Sequence, residues 1–361
     1  MEVPGRSCPL AYRYQPEALA QPAQLEADSL YVVGGLYGNP AALQALLERT
    51  GREPSGPATI VFNGDVHWLD VDPDDFQAIS ETVLAHHAIK GNVEAELAAT
   101  EDTGCGCAYP DYISDDVVER SNQIMTRLRA TAGRFPKLVS RLGELPRYLT
   151  ASVGGQRIGI LHGDPESLAG WQLALEAMEP GDPLVRRQVG WHGPPTTTAD
   201  LLDRFGRAEV SVFAGTHTGL PYAQDLADRQ GRRRLVINNG SAGLASFTGT
   251  SFGVITRLST NPQPPADSLY GTTLDGLRCD ALPRAFDLAW WRAALRRNGQ
   301  KAVPPTTATS SASRAAPSCG STKPSAARSP RPPARELPLQ RECTRPAPAV
   351  AQAESARSFP N

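Results

Sequence analysis

Four apolar segments of the chain each run straight into a small or polar cluster able to offer lone pairs to a cation or to hold a phosphate. They are Phe62-Asn63-Gly64-Asp65, Lys90-Gly91-Asn92, Leu161-His162-Gly163-Asp164 and Gly215-Thr216-His217-Thr218. One carboxylate, one amide oxygen and two imidazoles form a hard-to-borderline donor set that suits Mn, Fe, Ni or Zn and leaves positions for water. Singly, each cluster also reads as an ordinary structural turn. Gly-Asp and Gly-Asn end strands for conformational reasons alone, and a strand-terminal histidine often just completes a hydrogen bond.

The elements that carry these groups follow from periodicity. Residues 29–34 (SLYVVG) read as a strand ending in a Gly-rich turn, and residues 40–47 repeat Ala and Leu at helical spacing. Residues 58–62 form a second buried strand, and residues 73–85 a helix with acidic residues in its first turn. Residues 86–90 lead into Gly91-Asn92, and residues 93–99 predict another helix. Ser114 is placed to cap a helix over DDVVERSNQIMTRL, with a shorter helix over residues 135–142. Two strands flanking Gly154-Gly155, over residues 148–153 and 156–161, predict a hairpin that ends at His162. Residues 210–214, 235–239 and 251–258 complete the strands, and Arg232-Arg233-Arg234 is expected in a solvated hairpin turn. Alternating β and α units first, paired strands later, predict an α/β layered domain with polar groups gathered at strand ends.

Composition excludes several classes. Lys plus Arg number 36 against 38 Asp plus Glu, so the chain lacks the basic excess that grips a nucleic-acid backbone, and no specific nucleic-acid partner is expected. No apolar run approaches the roughly 20 residues of a membrane span. The first residues, with Glu2, Pro4 and Pro9, lack a secretory h-region, so a cytoplasmic protein with no membrane partner is expected. Cys8, Cys105, Cys107, Cys279, Cys319 and Cys343 are scattered and read as reduced thiols. Residues 301–361 are rich in Ala, Pro, Ser and Arg, with Phe359 as the only aromatic, and are expected to form a disordered tail. The predicted organisation is an N-terminal extension (1–28), a domain over 29–260, a C-terminal extension with a short helix (261–300) and that tail.

In this order, the motifs between Ser29 and Leu258 resemble the calcineurin-like metallophosphoesterase superfamily, in particular its small prokaryotic phosphoesterases. Asn238-Asn239-Gly240-Ser241-Ala242-Gly243 is similar to the family's late Gly-Ser turn, and LPRYLTASVGGQRIGILHGDP to the hairpin that delivers its histidine. The resemblance implies a double β-sandwich flanked by helices in αββα layers, and a two-metal centre at the strand ends. It also implies Asp65 as the bridging carboxylate, with Asn92, His162 and His217 as the other ligands of one metal, and Asp65, Asn92 and His162 as the catalytic set.

The chain departs from the family at the other metal. An Asp-x-His pair after the first strand is replaced by Gly35-Leu36-Tyr37-Gly38-Asn39, and a late His-Thr-His reads His217-Thr218-Gly219. A second register, aligned on Gly215, would put Thr216 and Thr218 at both histidine positions and leave His217 outside. Under the first register the losses fall on one metal only, so a single divalent ion is expected. Val93 stands where many relatives carry a histidine that helps protonate the leaving group.

Several residues are candidates to compensate. His67, two residues past Asp65, is a candidate substitute ligand, and Asp164 a candidate to hydrogen-bond a ligand histidine or a bound water. Gly35, Gly38 and Asn39 are candidates to hold a phosphate through backbone amides, with Tyr37 adding a hydroxyl. Cys105 and Cys107 read as a buried loop pair, with soft ligation or gating as the alternative. The expected ligand is a small phosphorylated molecule, cleaved as a phosphomonoester or phosphodiester. The alternative is an inactive protein that binds such a ligand, or a protein partner, in the same cleft.

Overall fold

The computed structural model of the chain describes residues 3–287 apart from Arg229 and Thr248, together with Trp291 and Ala293. The expected tail over 301–361 and the short helix expected before it lie outside the described residues.

Twelve strands form two six-stranded sheets among the described residues. The first sheet contains β1 (Leu25–Ala27), β5 (Tyr148–Val153), β6 (Gln156–Leu161), β7 (Val212–Gly215), β9 (Arg233–Asn238) and β8 (Tyr222–Ala227), in that spatial order. The second contains β11 (Tyr270–Leu274), β12 (Leu277–Ala285), β10 (Phe252–Ser259), β2 (Ser29–Val33), β3 (Thr59–Asn63) and β4 (His87–Ile89). Strands β2, β3 and β4 run parallel, as do β6, β7 and β9. Each sheet therefore offers a row of carboxyl ends along one edge.

Side-chain alternation explains the layering. Leu30 and Val32 of β2 pack inward with Val61, Ile89, Ile158, Ile160, Val212 and Ile237, which closes the interface between the sheets. Tyr31 and Val33 point the other way, onto Leu43 and Leu46 of α1 (Pro40–Thr50) and Ile79 and Val83 of α2 (Pro73–Leu84). On the far side Leu161, Phe213 and Val236 meet Leu201, Phe205 and Ala208 of α7 (Thr198–Ala208). The layers are helix, sheet, sheet, helix, the double β-sandwich expected.

Four helices lie between these elements. The short α3 (Asn92–Ala98), α4 (Asp115–Ala132) and α5 (Pro136–Gly143) share a core in which Val93, Met125, Leu128 and Leu142 meet Trp68, Leu69 and Phe76. A seven-residue α6 (Pro183–Val189) precedes α7, capped by the Asp182 side chain.

The sandwich extends past both expected domain limits. Strand β1, inside the presumed N-terminal extension, pairs parallel with β5, and Tyr12, Tyr14 and Leu19 ahead of it are buried. At the other end β11 and β12 form a hairpin, and β12 pairs along β10 from Phe252 to Ser259. Asp280 and Pro283 obscure β12 in the sequence. Asp280 is buried but paired to Arg278 and Ser268, and Pro283 lies beyond the stretch that β11 covers.

Candidate metal centre

The four lone-pair donors converge. His162 Nε2 lies 3.0 Å from Asn92 Oδ1, 3.1 Å from His217 Nδ1 and 3.3 Å from Asp65 Oδ1. Among the described residues, donor atoms of Asp65, His162 and His217 all lie within 4.8 Å of one another. Asn92 and His162 are fully buried, Asp65 nearly so, and His217 is partly exposed. The first register of the late motif is the one in which His217 reaches the site, while the Thr216 hydroxyl is bonded to the Gly240 carbonyl.

Each group is aimed by a partner on its far side. His162 Nδ1 meets the Asn63 carbonyl at 2.9 Å, and because a carbonyl only accepts, that nitrogen carries the proton and Nε2 presents a lone pair. His217 Nε2 meets the Cys107 carbonyl at 3.1 Å, which leaves its Nδ1 a lone pair. Asn92 Nδ2 donates to the Cys105 carbonyl at 2.9 Å, so its Oδ1 faces inward. Among the described residues, Asp65 Oδ1 accepts one protein donor outside the cluster, the Val93 amide, at 3.2 Å. Four acceptors therefore face one another.

Such an arrangement calls for positive charge at its centre. Burial opposes charge on His162, yet the Asp65 carboxylate overrides it and raises the His162 pKa. Burial and the neighbouring His162 push His217 down to about 3. Burial acts to raise the Asp65 pKa, but His162 holds it below its ordinary value. Ligands about 2.0–2.2 Å from a common ion stand about 3–3.5 Å apart, and the separations from His162 Nε2 match that spacing. The spacing of Asp65, Asn92, His162 and His217 suits a divalent ion.

Local backbone geometry brings the loops this close. Gly64 and Gly91 face each other where strands β3 and β4 end. A Cβ at Gly64 would strike the Gly91 backbone and the His162 ring, and one at Gly91 would strike the Asp65 carboxylate. Asn63 joins the two sheets, since its side-chain amide donates to the Leu161 carbonyl at 2.9 Å while its own carbonyl holds His162.

Glu94 is the main residue that motif reading passes over. Its buried carboxylate accepts the amides of Asp65 (2.9 Å), Val66 (2.9 Å) and Gly91 (2.8 Å), which locks both ligand loops to the first turn of α3. Its position, third in the helix after Gly91, is a capping-type signal in the sequence.

The Cys105-Gly106-Cys107 loop acts through its backbone. Its carbonyls orient Asn92 and His217, and the Trp171 indole also donates to the Cys107 carbonyl, at 2.9 Å. Burial pushes the Cys107 thiol well up, with the Cys105 thiol and the Asp65 carboxylate adding to it. The Cys107 sulfur lies 3.6 Å from Asn92 Nδ2 and 3.6 Å from the Cys105 carbonyl.

The compensating candidates resolve differently. His67 is not a substitute ligand: its Nδ1 is bonded to Asp70 and its Nε2 to Ser80, both at 2.9 Å, and its ring stacks on Phe76. Asp164 does not touch a ligand histidine, because its oxygens accept the amides of Glu166, Ser167 and Gln172 and shape their own loop. Gly35, Gly38 and Asn39 offer no phosphate nest. Their amides are bonded to the carbonyls of Gly64, Val66 and Leu36, and the Asn39 side chain caps α1 and holds the Gly243 carbonyl. Tyr37 remains beside the site, near enough for the Asp65 carboxylate and Cys107 to add to the effect of burial and raise its hydroxyl pKa. The Arg232-Arg233-Arg234 run opens β9, with Arg232 in the exposed turn as expected and Arg233 bonded to Asp225.

Two facing six-stranded sheets with outer helices thus carry a carboxylate, an amide and two imidazoles at their strand ends. No family model and no curated protein matches the chain. Several solved structures are similar to it. A hypothetical protein from Pyrococcus horikoshii OT3 is 14% identical, over 75% of this chain and 93% of that one, with a TM-score of 0.47. A metallophosphoesterase from Sphaerobacter thermophilus is 15% identical over 75% and 94%, with a TM-score of 0.43. A conserved predicted phosphoesterase from Streptococcus pneumoniae TIGR4 is 14% identical over 71% and 90%, with a TM-score of 0.31. No helix among the described residues is long and apolar enough to cross a membrane.

Proposed function

We propose that the chain is a metal-dependent phosphoric ester hydrolase that acts on a small phosphomonoester or phosphodiester with one divalent ion held by Asp65, Asn92, His162 and His217. The observation that carries this reading is the convergence of four lone-pair donors with no protein donor between them among the described residues. A divalent ion there supplies Lewis acidity toward a phosphoryl oxygen and toward water.

The chain's own residues do the rest. Asn63 and Cys107 fix the tautomers of the two histidines, and Cys105 fixes the orientation of the Asn92 amide. Burial of Asn92 and His162 keeps bulk water from competing for their lone pairs. With Val93 in place of a titratable side chain, proton delivery to the leaving group falls to solvent or to the substrate. A slow enzyme, or one with an acidic leaving group, is the expected result.

Metal analysis of the purified protein, followed by turnover of bis-p-nitrophenyl phosphate with added Mn, tests the reading. About one ion per chain and turnover abolished by His162→Ala support it. Bound ion without turnover across a panel of mono- and diesters removes the hydrolase assignment, and absence of any ion removes the metal site as well.

A further inference from the structure

Tyr37 is held in an uncommon way. Its backbone has φ 56, a left-handed conformation that a bulky side chain seldom adopts and that surrounding structure must enforce. Here the enforcement comes from the loop that carries Asp65. The Tyr37 amide donates to the Asp65 carbonyl at 3.2 Å, and the Tyr37 carbonyl accepts the Leu69 amide at 3.3 Å.

The ring folds back over Gly35. A Cβ at Gly35 would stand 3.1 Å from Tyr37 Cζ, the carbon that bears the hydroxyl, and 3.0 Å from the Ser241 Cβ. A side chain at position 35 would therefore displace the phenol. The hydroxyl itself makes no hydrogen bond to any described residue. By contrast the hydroxyls of Tyr12, Tyr14, Tyr31, Tyr109, Tyr112 and Tyr222 are all hydrogen-bonded within the protein. Tyr37 is half-buried and packs against the cluster that contains Val93, Cys105 and Cys107, beside the loop whose carbonyls hold Asn92 and His217.

The amides of Gly35, Tyr37, Gly38 and Asn39 in the same loop are all bonded to protein carbonyls. We propose that the Tyr37 hydroxyl is the hydrogen-bond donor to a phosphoryl oxygen of an anion bound at the cation site. This rests on the metal-site reading above. A phenol is protonated at neutral pH and, with its backbone fixed, donates at small conformational cost.

The test uses the full chain, Mn and inorganic phosphate, with Tyr37→Phe keeping the ring and its packing. Calorimetric titration is run with Mn alone and then with phosphate on the Mn-loaded protein. Mn affinity within about twofold of wild type, with phosphate affinity about tenfold weaker, supports the proposal, since one hydrogen bond to a charged acceptor is worth about a decade or more. Gly35→Ala, which crowds the hydroxyl-bearing carbon, is expected to weaken phosphate binding in the same direction. Wild-type phosphate affinity in Tyr37→Phe with Mn still bound overturns the proposal and leaves the metal site standing. A wild-type chain that binds no Mn overturns both.

Discussion

The carboxylate of Glu94 accepts the backbone amide of Asp65 at 2.9 Å, and the same side chain takes the amides of Val66 and Gly91. Asp65 itself stands at φ 55, so a residue in an unfavourable backbone region is held there by a buried anion. Glu94→Gln replaces one acceptor oxygen with an amide that faces a backbone N–H. It is expected to cost about 2 kcal/mol of stability, the penalty of a buried donor left without an acceptor. Mn affinity should fall roughly tenfold, as is usual when a group that orients a ligand is removed. Urea unfolding and Mn titration of the variant read the two effects, and unchanged Mn affinity in a folded variant contradicts this role.

The four converging donors were legible in the sequence because each closely follows an apolar strand, and the hairpin leading to His162 is marked by Gly154-Gly155 between alternating runs. What orients them was not. Asn63, Cys105 and Cys107 act through backbone carbonyls, which every residue type possesses, so no side-chain pattern marks them. His67 and Asn39 illustrate the converse. Their types suit a site, but whether their polar atoms are free depends on Ser80, Asp70 and Gly243, and only the folded chain brings these to them. The β11–β12 hairpin carried a usable signal in Asp275-Gly276, both at positive φ, but the charged residues of β12 masked its inward face.

If the 105–107 loop works through its carbonyls, changing its sulfur should matter little and changing its backbone should matter a great deal. Cys107→Ser is expected to keep Mn affinity within about twofold, because the Cys107 carbonyl that holds His217 is retained. Gly106→Ala puts a Cβ 2.5 Å from the Tyr12 hydroxyl and 2.6 Å from Glu96 Cγ, at φ 64. It should lower stability by about 1–3 kcal/mol and weaken Mn binding with it. A large loss of Mn binding in Cys107→Ser alone would instead make the thiol a ligand.

His67 separates a buried histidine from a ligand. His67→Ala removes a ring bonded at both nitrogens and stacked 4.2 Å from Phe76, and it leaves the Asp70 carboxylate buried with fewer partners. A loss of about 2–4 kcal/mol is expected, with Mn stoichiometry and affinity of the folded fraction unchanged. The comparison with His162→Ala, which removes the central donor, is made at a temperature where both variants are folded by circular dichroism.

Glu53 sets the acid limit of the fold. Its carboxylate sits just past α1 and accepts two hydrogen bonds from Arg257 of β10, at 2.6 and 3.0 Å, and one from Tyr31 of β2 at 2.6 Å, with both charged side chains almost fully buried. Burial acts to raise the Glu53 pKa, but Arg257 and Tyr31 outweigh it and hold the group at about 2. A folded-state pKa below the ordinary value means that the stabilisation is complete above the ordinary carboxylate range, near pH 4.5, and is lost as the pH falls toward 2. Glu53→Gln leaves the Arg257 charge buried beside Asp280, 3.8 Å away, as its remaining counter-charge. The variant should be about 3 kcal/mol less stable at pH 7, with the gap to wild type closing as pH drops from 4.5 to 2. Urea midpoints measured across that range decide it: a gap that stays constant with pH would assign the loss to packing and not to the ionised pair.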